Sequence, residues 1–361
     1  MCAIMDLLTD PSAERLPQPG EALPLRPGLH WVRMPLPFRL NHINLWLIAE
    51  DERWALVDTG FGIDATLALW EQVLEHITLS RIIVTHFHPD HVGCAAWLSA
   101  RTGASVWMSE AEFLTTRAVR FEPEAAERQR RLDFWCRHGL DATRRAALAA
   151  LPRGYDRGVP SVPDRFQRLR DGDQLQIGTG RWRVCLVSGH APGQALLVND
   201  EERMLIAADQ VLERISPNVA VWPHEPAGDP LADYLRGLDR LEPLDASTLV
   251  LPSHGRPFVG LHARCAALRR HHAERLTTLL AALSSPATAV ELMPVLFSRD
   301  LDLHELGFAI GETLAHLARL EATGWIAREE TAQAIRFRRL NTPLSDADIW
   351  RLVSPPYTGR H

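Results

Sequence analysis

Apolar residues in the first hundred positions fall into short runs that are separated by turn residues. Alternating or fully apolar runs of this length are typical of β-strands, and apolar spacing of three to four residues is typical of amphipathic helices. The runs predict strands at 28–36, 43–50, 53–60 and 81–85, and the helical spacing predicts helices at 62–77 and 91–103. Strands and helices therefore mix along this part of the chain.

The pattern changes after residue 109. Residues 109–150 are rich in arginine, glutamate and alanine, have helical periodicity and show no strand pattern, and the Pro/Gly-rich stretch 152–164 follows them. We interpret 109–164 as an inserted helical segment. Strand patterns then return at 173–178, 181–189, 194–200, 203–209 and 247–253, with a helix at 231–241 before the last of these.

The C-terminal part has a third pattern. A long helix is predicted at 261–283, two shorter helices at 287–297 and 305–324, and a β-hairpin at 325–340. Helix, helix and hairpin in this order are the arrangement of a winged helix. The sequence therefore divides into a loose tail (1–20), a main domain (21–260) with the insertion, a connecting helix (261–284) and a small winged-helix-like α+β domain (285–361).

Composition narrows the class of protein. The 361 residues are 46% hydrophobic and 23% charged, as in ordinary globular domains. No apolar run reaches the roughly 20 residues that cross a bilayer, and no basic segment followed by a long apolar one marks the N-terminus as a secretory signal. The five cysteines are scattered and predict reduced thiols, so we expect a cytoplasmic protein without a membrane partner.

The net charge disfavours one class of partner, and the absence of lysine excludes reactions that need a lysine side chain. The formal net charge of −6 argues against a polyanionic partner such as nucleic acid. All 39 basic residues are arginines, which excludes a lysine Schiff base and a P-loop lysine.

The string "HFHPDH" directly follows the buried strand "RIIVT" and is the main chemical signal. Imidazole and carboxylate are the ligands expected for zinc and related divalent ions. Alternate residues at a strand end point the same way, so His86 and His88 can share one ion. The turn at Pro89 is expected to change the direction of the chain, so that the side chains of Asp90 and His91 point toward a second ion.

Further ligands are expected at other strand ends, because one loop cannot complete two metal sites. His190, Asp209 and His254 each follow an apolar strand and lie in or beside turn residues. Asp209 is the group we expect to bridge the two ions, since a carboxylate has two oxygens. Asp58, in "ALVDTG", either orients a ligand histidine from behind or caps the turn.

With these motifs the chain resembles the metallo-β-lactamase fold superfamily, and in particular its glyoxalase II-like branch, over residues 28–260. The resemblance implies a four-layer αββα sandwich with two metals at one edge. It implies that the first metal is held by His86, His88 and His190, the second by Asp90, His91 and His254, with Asp209 between them. Residues 285–340 resemble the winged-helix appendage of one subgroup. The chain departs from the family at Gln194, where members often carry His or Ser.

The predicted reaction is hydrolysis. Two cations a few ångströms apart lower the pKa of a bridging water from about 15.7 toward neutrality and polarise a carbonyl or phosphoryl oxygen. Zinc is the expected metal, with iron or manganese as alternatives. Asp90 is predicted to orient the hydroxide, and either Asp209 or a water is predicted to protonate the leaving group.

The predicted substrate is a small ester, thioester or lactone. The insertion is placed where a cap over the metals would be built, and Phe134 and Trp135 are candidates for lining an acyl pocket there. Tyr155 is a candidate oxyanion donor. The alternative for each aromatic residue is that it packs the cap onto the sandwich.

Two other functions remain open from the sequence. A metal-dependent ribonuclease or phosphodiesterase is suggested by the winged-helix pattern, but residues 285–361 hold eight arginines against ten acids. An oxygen-reducing iron protein would need a flavin domain, and no such domain is visible. We interpret the winged-helix-like part as a dimerisation or cap-supporting element, which makes a homodimer one expectation.

Overall fold

A computed structural model of the chain describes residues 15–340 and 345–354, so most of the predicted tail 1–20 lies outside the described residues. The chain forms two compact units. The first contains the chain up to Phe121 together with Gly154–Pro217 and Leu241–Arg264. The second contains Glu122–Arg153, Asn218–Arg240 and the chain from Cys265 onward.

The first unit contains a seven-stranded sheet whose strands lie in chain order. The strands are β1 (Ala22–Arg26), β2 (Leu29–Pro35), β3 (His42–Glu50), β4 (Arg53–Val57), β5 (Leu79–Ile83), β6 (Ser105–Ser109) and β7 (Gln167–Leu169). Pairing is antiparallel from β1 to β4 and parallel from β4 to β7. Parallel strands end at one edge of a sheet, so the segments after β4 and β5 meet there.

A second sheet of six strands lies in the same unit, in the order β13-β12-β11-β10-β9-β8. Its strands are β8 (Gln174–Ile177), β9 (Gly180–Val187), β10 (Gln194–Asn199), β11 (Met204–Ala208), β12 (Leu249–Pro252) and β13 (Phe258–Val259). Only β11 and β12 pair in parallel. Their carboxyl ends therefore carry Asp209 and His254 to the same edge.

A continuous apolar core joins the two sheets. Trp31 and Trp46 of the first sheet and Trp182, Leu197 and Leu251 of the second belong to one buried cluster. The inward positions alternate along β2 with residues that face the other side, as expected for sheets covered on both faces. This packing confirms the predicted α/β sandwich.

The opposite face of the first sheet is covered by helices. The helices of this unit are α1 (Asp64–Leu74), α2 (Pro89–Val92), α3 (Ala95–Thr102), α4 (Glu110–Phe121) and α7 (Gly154–Gly158). Trp70, Leu98 and Phe113 are buried in the second core cluster beneath them.

One predicted helix is wrong, because the span 91–103 is divided between α2 and α3 at Gly93 and Cys94. The backbone is crowded at this point. A Cβ at Gly93 would lie 2.4 Å from the carbonyl oxygen of Gly158 and 2.6 Å from that of Gly60. The break therefore brings α2, which carries His91, close to two neighbouring loops.

The second unit is built mainly from helices. They are α5 (Glu124–Arg137), α6 (Ala142–Ala149), α8 (Pro230–Asp239), most of α9 (Leu261–Ala282), α10 (Ala289–Leu296), α11 (Leu303–Ala322) and α12 (Asp346–Val353), together with the hairpin of β14 (Ile326–Glu330) and β15 (Ile335–Arg339). The predicted order of helix, helix and hairpin is confirmed. The winged-helix assignment itself stays a prediction.

The predicted insertion 109–164 is helical throughout most of its length, and the two units divide it. Helices α4 and α7 belong to the first unit, and α5 and α6 belong to the second. Within the second unit, Trp135 of α5 packs on α11. A Cβ added at Gly307 of α11 would lie 2.8 Å from the Trp135 ring. Whether any part of the insertion caps the metals stays a prediction.

No helix among the described residues is long and apolar enough to cross a membrane. No disulfide joins the cysteines of the described residues.

The interior of the second unit holds a pair of fully buried histidines, His272 of α9 and His316 of α11. His316 Nδ1 donates to the carbonyl oxygen of Glu312 at 2.8 Å, so its Nε2 accepts from His272 Nδ1 at 3.1 Å. His272 Nε2 is then an unprotonated, buried nitrogen without a hydrogen-bond partner among the described residues. Burial lowers the pKa of His272 well below its ordinary value and that of His316 to about 3.

We expect the protein to lose stability as the pH falls below about 6.5. Both histidines become protonated there in the unfolded chain but stay neutral in the folded protein, so protonation favours unfolding. Each of the two histidines contributes up to about 1.4 kcal/mol per pH unit there. Arg275 and His271 of α9 add positive charge, the carboxylate of Glu312 of α11 pairs with Arg275, and Tyr234 of α8 contacts the His272 ring.

Urea unfolding at pH 7.5 and 5.5 tests this expectation. His272→Gln keeps an N–H donor toward His316 and removes one titrating group, so its unfolding free energy should change less between the two pH values than that of the unmodified chain. Equal changes in the two proteins would contradict the assignment.

Candidate metal centre

Seven side chains from four separate loops converge at the edge where the parallel strands end. Their ligand atoms form two groups, within each of which all atoms lie within 4.8 Å of one another. We call them the first cluster (His86, His88, His190 and Asp209) and the second cluster (Asp90, His91 and His254). Every residue that the sequence predicted as a ligand is therefore brought to this edge.

The first cluster is rich in nitrogen. His86 Nε2 lies 2.9 Å from His88 Nδ1 and 3.3 Å from His190 Nε2. His190 Nε2 in turn lies 3.3 Å from Asp209 Oδ2. Three imidazole nitrogens and one carboxylate oxygen thus surround one point, which is the donor set that zinc and related ions prefer.

The second cluster adds a carboxylate to two imidazoles. Asp90 Oδ2 lies 3.6 Å from His91 Nε2 and 3.4 Å from His254 Nε2. Asp209 Oδ1 lies 3.6 Å from each of the same two nitrogens. Because its other oxygen faces His190, Asp209 stands between the two clusters, which is the position predicted for it.

Backbone conformation helps to aim the carboxylates. Asp58 and Ala208 are non-glycine residues with positive φ, 61° and 45°. The pairing of β11 with β12 shifts register between Ile206 and Ala208, directly before Asp209. Such conformations carry a cost and concentrate at functional sites.

Asp58 and Thr85 support the histidines from behind. Asp58 Oδ2 accepts from His91 Nδ1 at 2.8 Å and from the Thr85 hydroxyl at 2.8 Å, and Asp58 Oδ1 accepts from the Thr85 backbone N–H at 2.7 Å. With Nδ1 protonated, His91 turns an unprotonated Nε2 toward the second cluster when it is neutral. Of the two sequence interpretations of Asp58, this geometry matches the orienting one.

Electrostatics keeps His86 and His88 of the first cluster neutral. Burial, and then the neighbouring histidines, lower the pKa of His86 well below its ordinary value. Burial and His190 lower the pKa of His88 to about 3. Neutral imidazole is the form that binds a metal ion.

The second cluster has the opposite balance. Burial opposes charge on His91, but Asp58, Asp90 and Asp209 outweigh it and raise its pKa to about 9. Burial is likewise outweighed at His254, where Asp209 and Asp90 raise the pKa well above its ordinary value. The carboxylates of this cluster thus stabilise positive charge. A bound cation supplies that charge in place of the protons on His91 and His254.

Two buried atoms in the clusters provide a test of the metal hypothesis. His91 Nε2 and Asp209 Oδ1 have no hydrogen-bond partner among the described residues, although buried polar atoms normally do. They lie 3.6 Å apart and face the same space. One cation in the second cluster would satisfy both atoms, and the donor set of the first cluster suits another.

Asp58→Asn is expected to weaken binding of one metal ion by about 10- to 100-fold, because an amide can no longer hold His91 Nδ1–H and both Thr85 donors. Asp51→Asn is the matched control, since Asp51 is exposed and also has a positive φ, 52°. Competition with a chelator measures the affinity. Equal affinities in the two variants would contradict the role of Asp58.

Several residues that support the site were missed from the sequence. Glu112 accepts hydrogen bonds from two ligand loops, the His42 backbone oxygen accepts from His254 Nδ1 at 2.8 Å, and Glu213 accepts from the Arg256 N–H at 3.0 Å. Each acts through backbone groups, which leave no side-chain motif in a sequence.

The residues that the sequence suggested for substrate binding make contacts with other parts of the protein. The Tyr155 hydroxyl donates to the Phe87 carbonyl oxygen at 2.8 Å and so supports the loop of His86 and His88. Trp135 is buried in the second unit, and the Phe134 ring lies 4.5 Å from that of His138. Gln194 is fully buried and its amide has no partner among the described residues. Contact of these residues with substrate stays a prediction.

Comparison with known proteins gives matches along most of the chain. A family model described as the metallo-beta-lactamase superfamily matches residues 39–254, and one described as the metallo-beta-lactamase-like C-terminal domain matches residues 276–340. A beta-lactamase domain protein from Burkholderia ambifaria is 39% identical, with a TM-score of 0.87, covering 94% of this chain and all of that one.

Two further relatives differ in extent. A metallo-beta-lactamase family protein from Thermus thermophilus is 34% identical, with a TM-score of 0.75, covering 88% of this chain and all of that one. A hydroxyacylglutathione hydrolase from Albidiferax ferrireducens is 40% identical over 75 residues, which are 20% of this chain and 28% of the relative.

Proposed function

Since this chain belongs to the metallo-beta-lactamase superfamily, whose members are metal-dependent hydrolases, we propose that it hydrolyses a small ester, thioester or lactone with two bound divalent cations. The observation that carries the proposal is the position of Asp209, with one oxygen toward His190 and the other toward His91 and His254. A shared carboxylate of this kind suits two ions rather than one. Zinc is the metal that we propose, with iron or manganese as alternatives.

The cations, when bound, supply an activated water and stabilise the oxyanion of the substrate. The chain's own residues then position the reactants. Burial opposes charge on Asp90, but His91 and His254 outweigh it and lower its pKa to about 2, so Asp90 is a carboxylate at neutral pH. It is also the more exposed of the two cluster carboxylates, with 20% of its side chain accessible against 10% for Asp209. We therefore propose Asp90 as the group that accepts a hydrogen bond from an attacking water.

Three observations support an acyl substrate rather than a polyanion. The net charge of −6 disfavours a polyanion. Leu114 and Phe121 of α4 are exposed apolar side chains, 56% and 61% accessible. The short match to a hydroxyacylglutathione hydrolase favours the thioester option and a place near the glyoxalase II-like branch.

A substrate panel tests the proposal. The protein, loaded in turn with zinc, iron and manganese, is assayed with acyl thioesters, aryl esters, lactones and a phosphodiester, with and without chelator. We expect chelator-sensitive turnover of at least one acyl substrate. Turnover of the phosphodiester or of RNA alone would instead favour the ribonuclease alternative, and no turnover of any substrate by metal-loaded protein would contradict the proposal.

A further inference from the structure

Glu112 is a fully buried carboxyl beside the first cluster that the proposed reaction does not use. Its Oε2 accepts the backbone N–H of Phe87 at 2.8 Å, and its Oε1 accepts the backbone N–H of Gly193 at 2.6 Å. Phe87 lies between His86 and His88, and Gly193 lies three residues after His190. One carboxylate therefore joins the two loops that supply all three histidines of the first cluster.

The loop after His190 is also held from its other side. The Ser109 hydroxyl donates to the Gly193 carbonyl oxygen at 2.7 Å and accepts from the Glu112 N–H at 3.3 Å. A Cβ at Gly193 would lie 3.1 Å from the Ala111 side chain and 3.2 Å from Ser109 Oγ. The N-terminal turn of α4 therefore lies close to the Gly193 peptide and holds the loop that follows His190.

The two hydrogen bonds require a carboxylate of this length. Glutamine has one acceptor oxygen, so its NH2 group would face a backbone N–H and one buried donor would lose its partner, which costs about 1–3 kcal/mol. Aspartate is one methylene shorter and cannot reach both loops from the same helix position. Burial raises the pKa of Glu112 to about 7, although the hydrogen bonds from Gly193 and Phe87 lower it. Keeping an ionised carboxylate at this buried position therefore costs free energy.

We propose that Glu112 is a positioning residue that sets the spacing of His86 and His88 from His190 and so determines the affinity of the first cluster for its cation. The proposal rests on the proposed function, because it assumes that the clusters hold metal. Groups that hold ligands in place affect metal affinity by about 10- to 100-fold when they are replaced.

The test measures zinc affinity in proteins that retain a single cluster. His254→Ala removes a ligand of the second cluster and leaves the first, and His88→Ala does the reverse. Glu112→Gln in the His254→Ala background should weaken zinc binding by about 10- to 100-fold. In the His88→Ala background it should leave the affinity unchanged, which a general loss of structure would not do.

Glu110→Gln is the matched control, because Glu110 lies two residues away on the same helix, is exposed and pairs with Arg168. It should leave zinc affinity unchanged in both backgrounds. Thermal unfolding of the metal-free proteins checks that each variant is folded, and Glu112→Asp, expected to weaken the first cluster too, replaces Glu112→Gln if the latter does not fold.

The outcomes separate the two proposals. Unchanged affinity of folded Glu112→Gln in the His254→Ala background would overturn the role of Glu112, and so would equal weakening in both backgrounds. Failure of both Glu112 variants to fold would also overturn it, since Glu112 would then be needed for the fold itself. Absence of zinc, iron and manganese binding by the unmodified chain would instead overturn the proposed function.

Discussion

Asp209→Asn is expected to lower turnover by roughly a thousandfold, a loss of about 4 kcal/mol of transition-state stabilisation, and to reduce bound metal from two ions per chain to one. An asparagine keeps one oxygen and replaces the other with an NH2 group, which cannot bind a cation. Asp209 Oδ2 lies 3.3 Å from His190 Nε2, and Asp209 Oδ1 lies 3.6 Å from His91 and His254. The amide can therefore serve one cluster but not both.

Asp200→Asn is the control for this variant. Asp200 is an exposed aspartate of the same unit, at the turn between β10 and β11, where it pairs with Arg183. It should leave both turnover and metal content unchanged. An Asp209→Asn protein that keeps two ions and more than a tenth of the activity would contradict the bridging role.

Asp90→Asn is expected to lower kcat by about 100- to 1,000-fold while the first cluster keeps its ion. Asp90 takes no part in the first cluster. Its carboxylate is ionised and partly accessible, so the loss should appear in the reaction step rather than in substrate binding. KM should therefore change much less than kcat.

Steady-state kinetics together with metal analysis checks this expectation, with Asp200→Asn again as the control. Should kcat stay within a few-fold of that of the unmodified chain, Asp90 would not be the residue that orients the water. A rise in KM at constant kcat would point instead to a role in substrate binding.

The ligand set could be predicted because the metal ligands are side chains of recognisable type that follow the ends of strands. His86 and His88 follow β5, Asp209 follows β11 and His254 follows β12. Parallel pairing of β4 with β5 and of β11 with β12 then brings these ends to one edge. Residue type and strand position together were sufficient, without knowledge of the loops between them.

The supporting contacts could not be predicted, because they run through the backbone. Glu112 and Glu213 bind backbone N–H groups, which every residue except proline offers, so no motif marks them. The break at Gly93 depends on a close approach of Gly158, which is 65 positions further along the chain. Strands β7 and β13, of three and two residues, are too short to show an alternating pattern.

The substrate region is the part about which the sequence was least informative. Residues 109–164 have a helical pattern, but the pattern does not tell which helices pack with which unit. The sequence left Trp135 open as a pocket wall or as a residue that packs the cap onto the sandwich, and in the structure it is buried against α11. Periodicity predicts that a face is apolar and not what covers it.

The most direct test of the paired metal centre is an anomalous-difference map from a crystal of the zinc-loaded protein, collected on both sides of the zinc absorption edge. We expect two peaks about 3.5–4 Å apart, one bounded by His86, His88 and His190 and the other by Asp90, His91 and His254, with Asp209 between them. A single peak, or peaks away from these residues, would show that the seven side chains do not hold two cations.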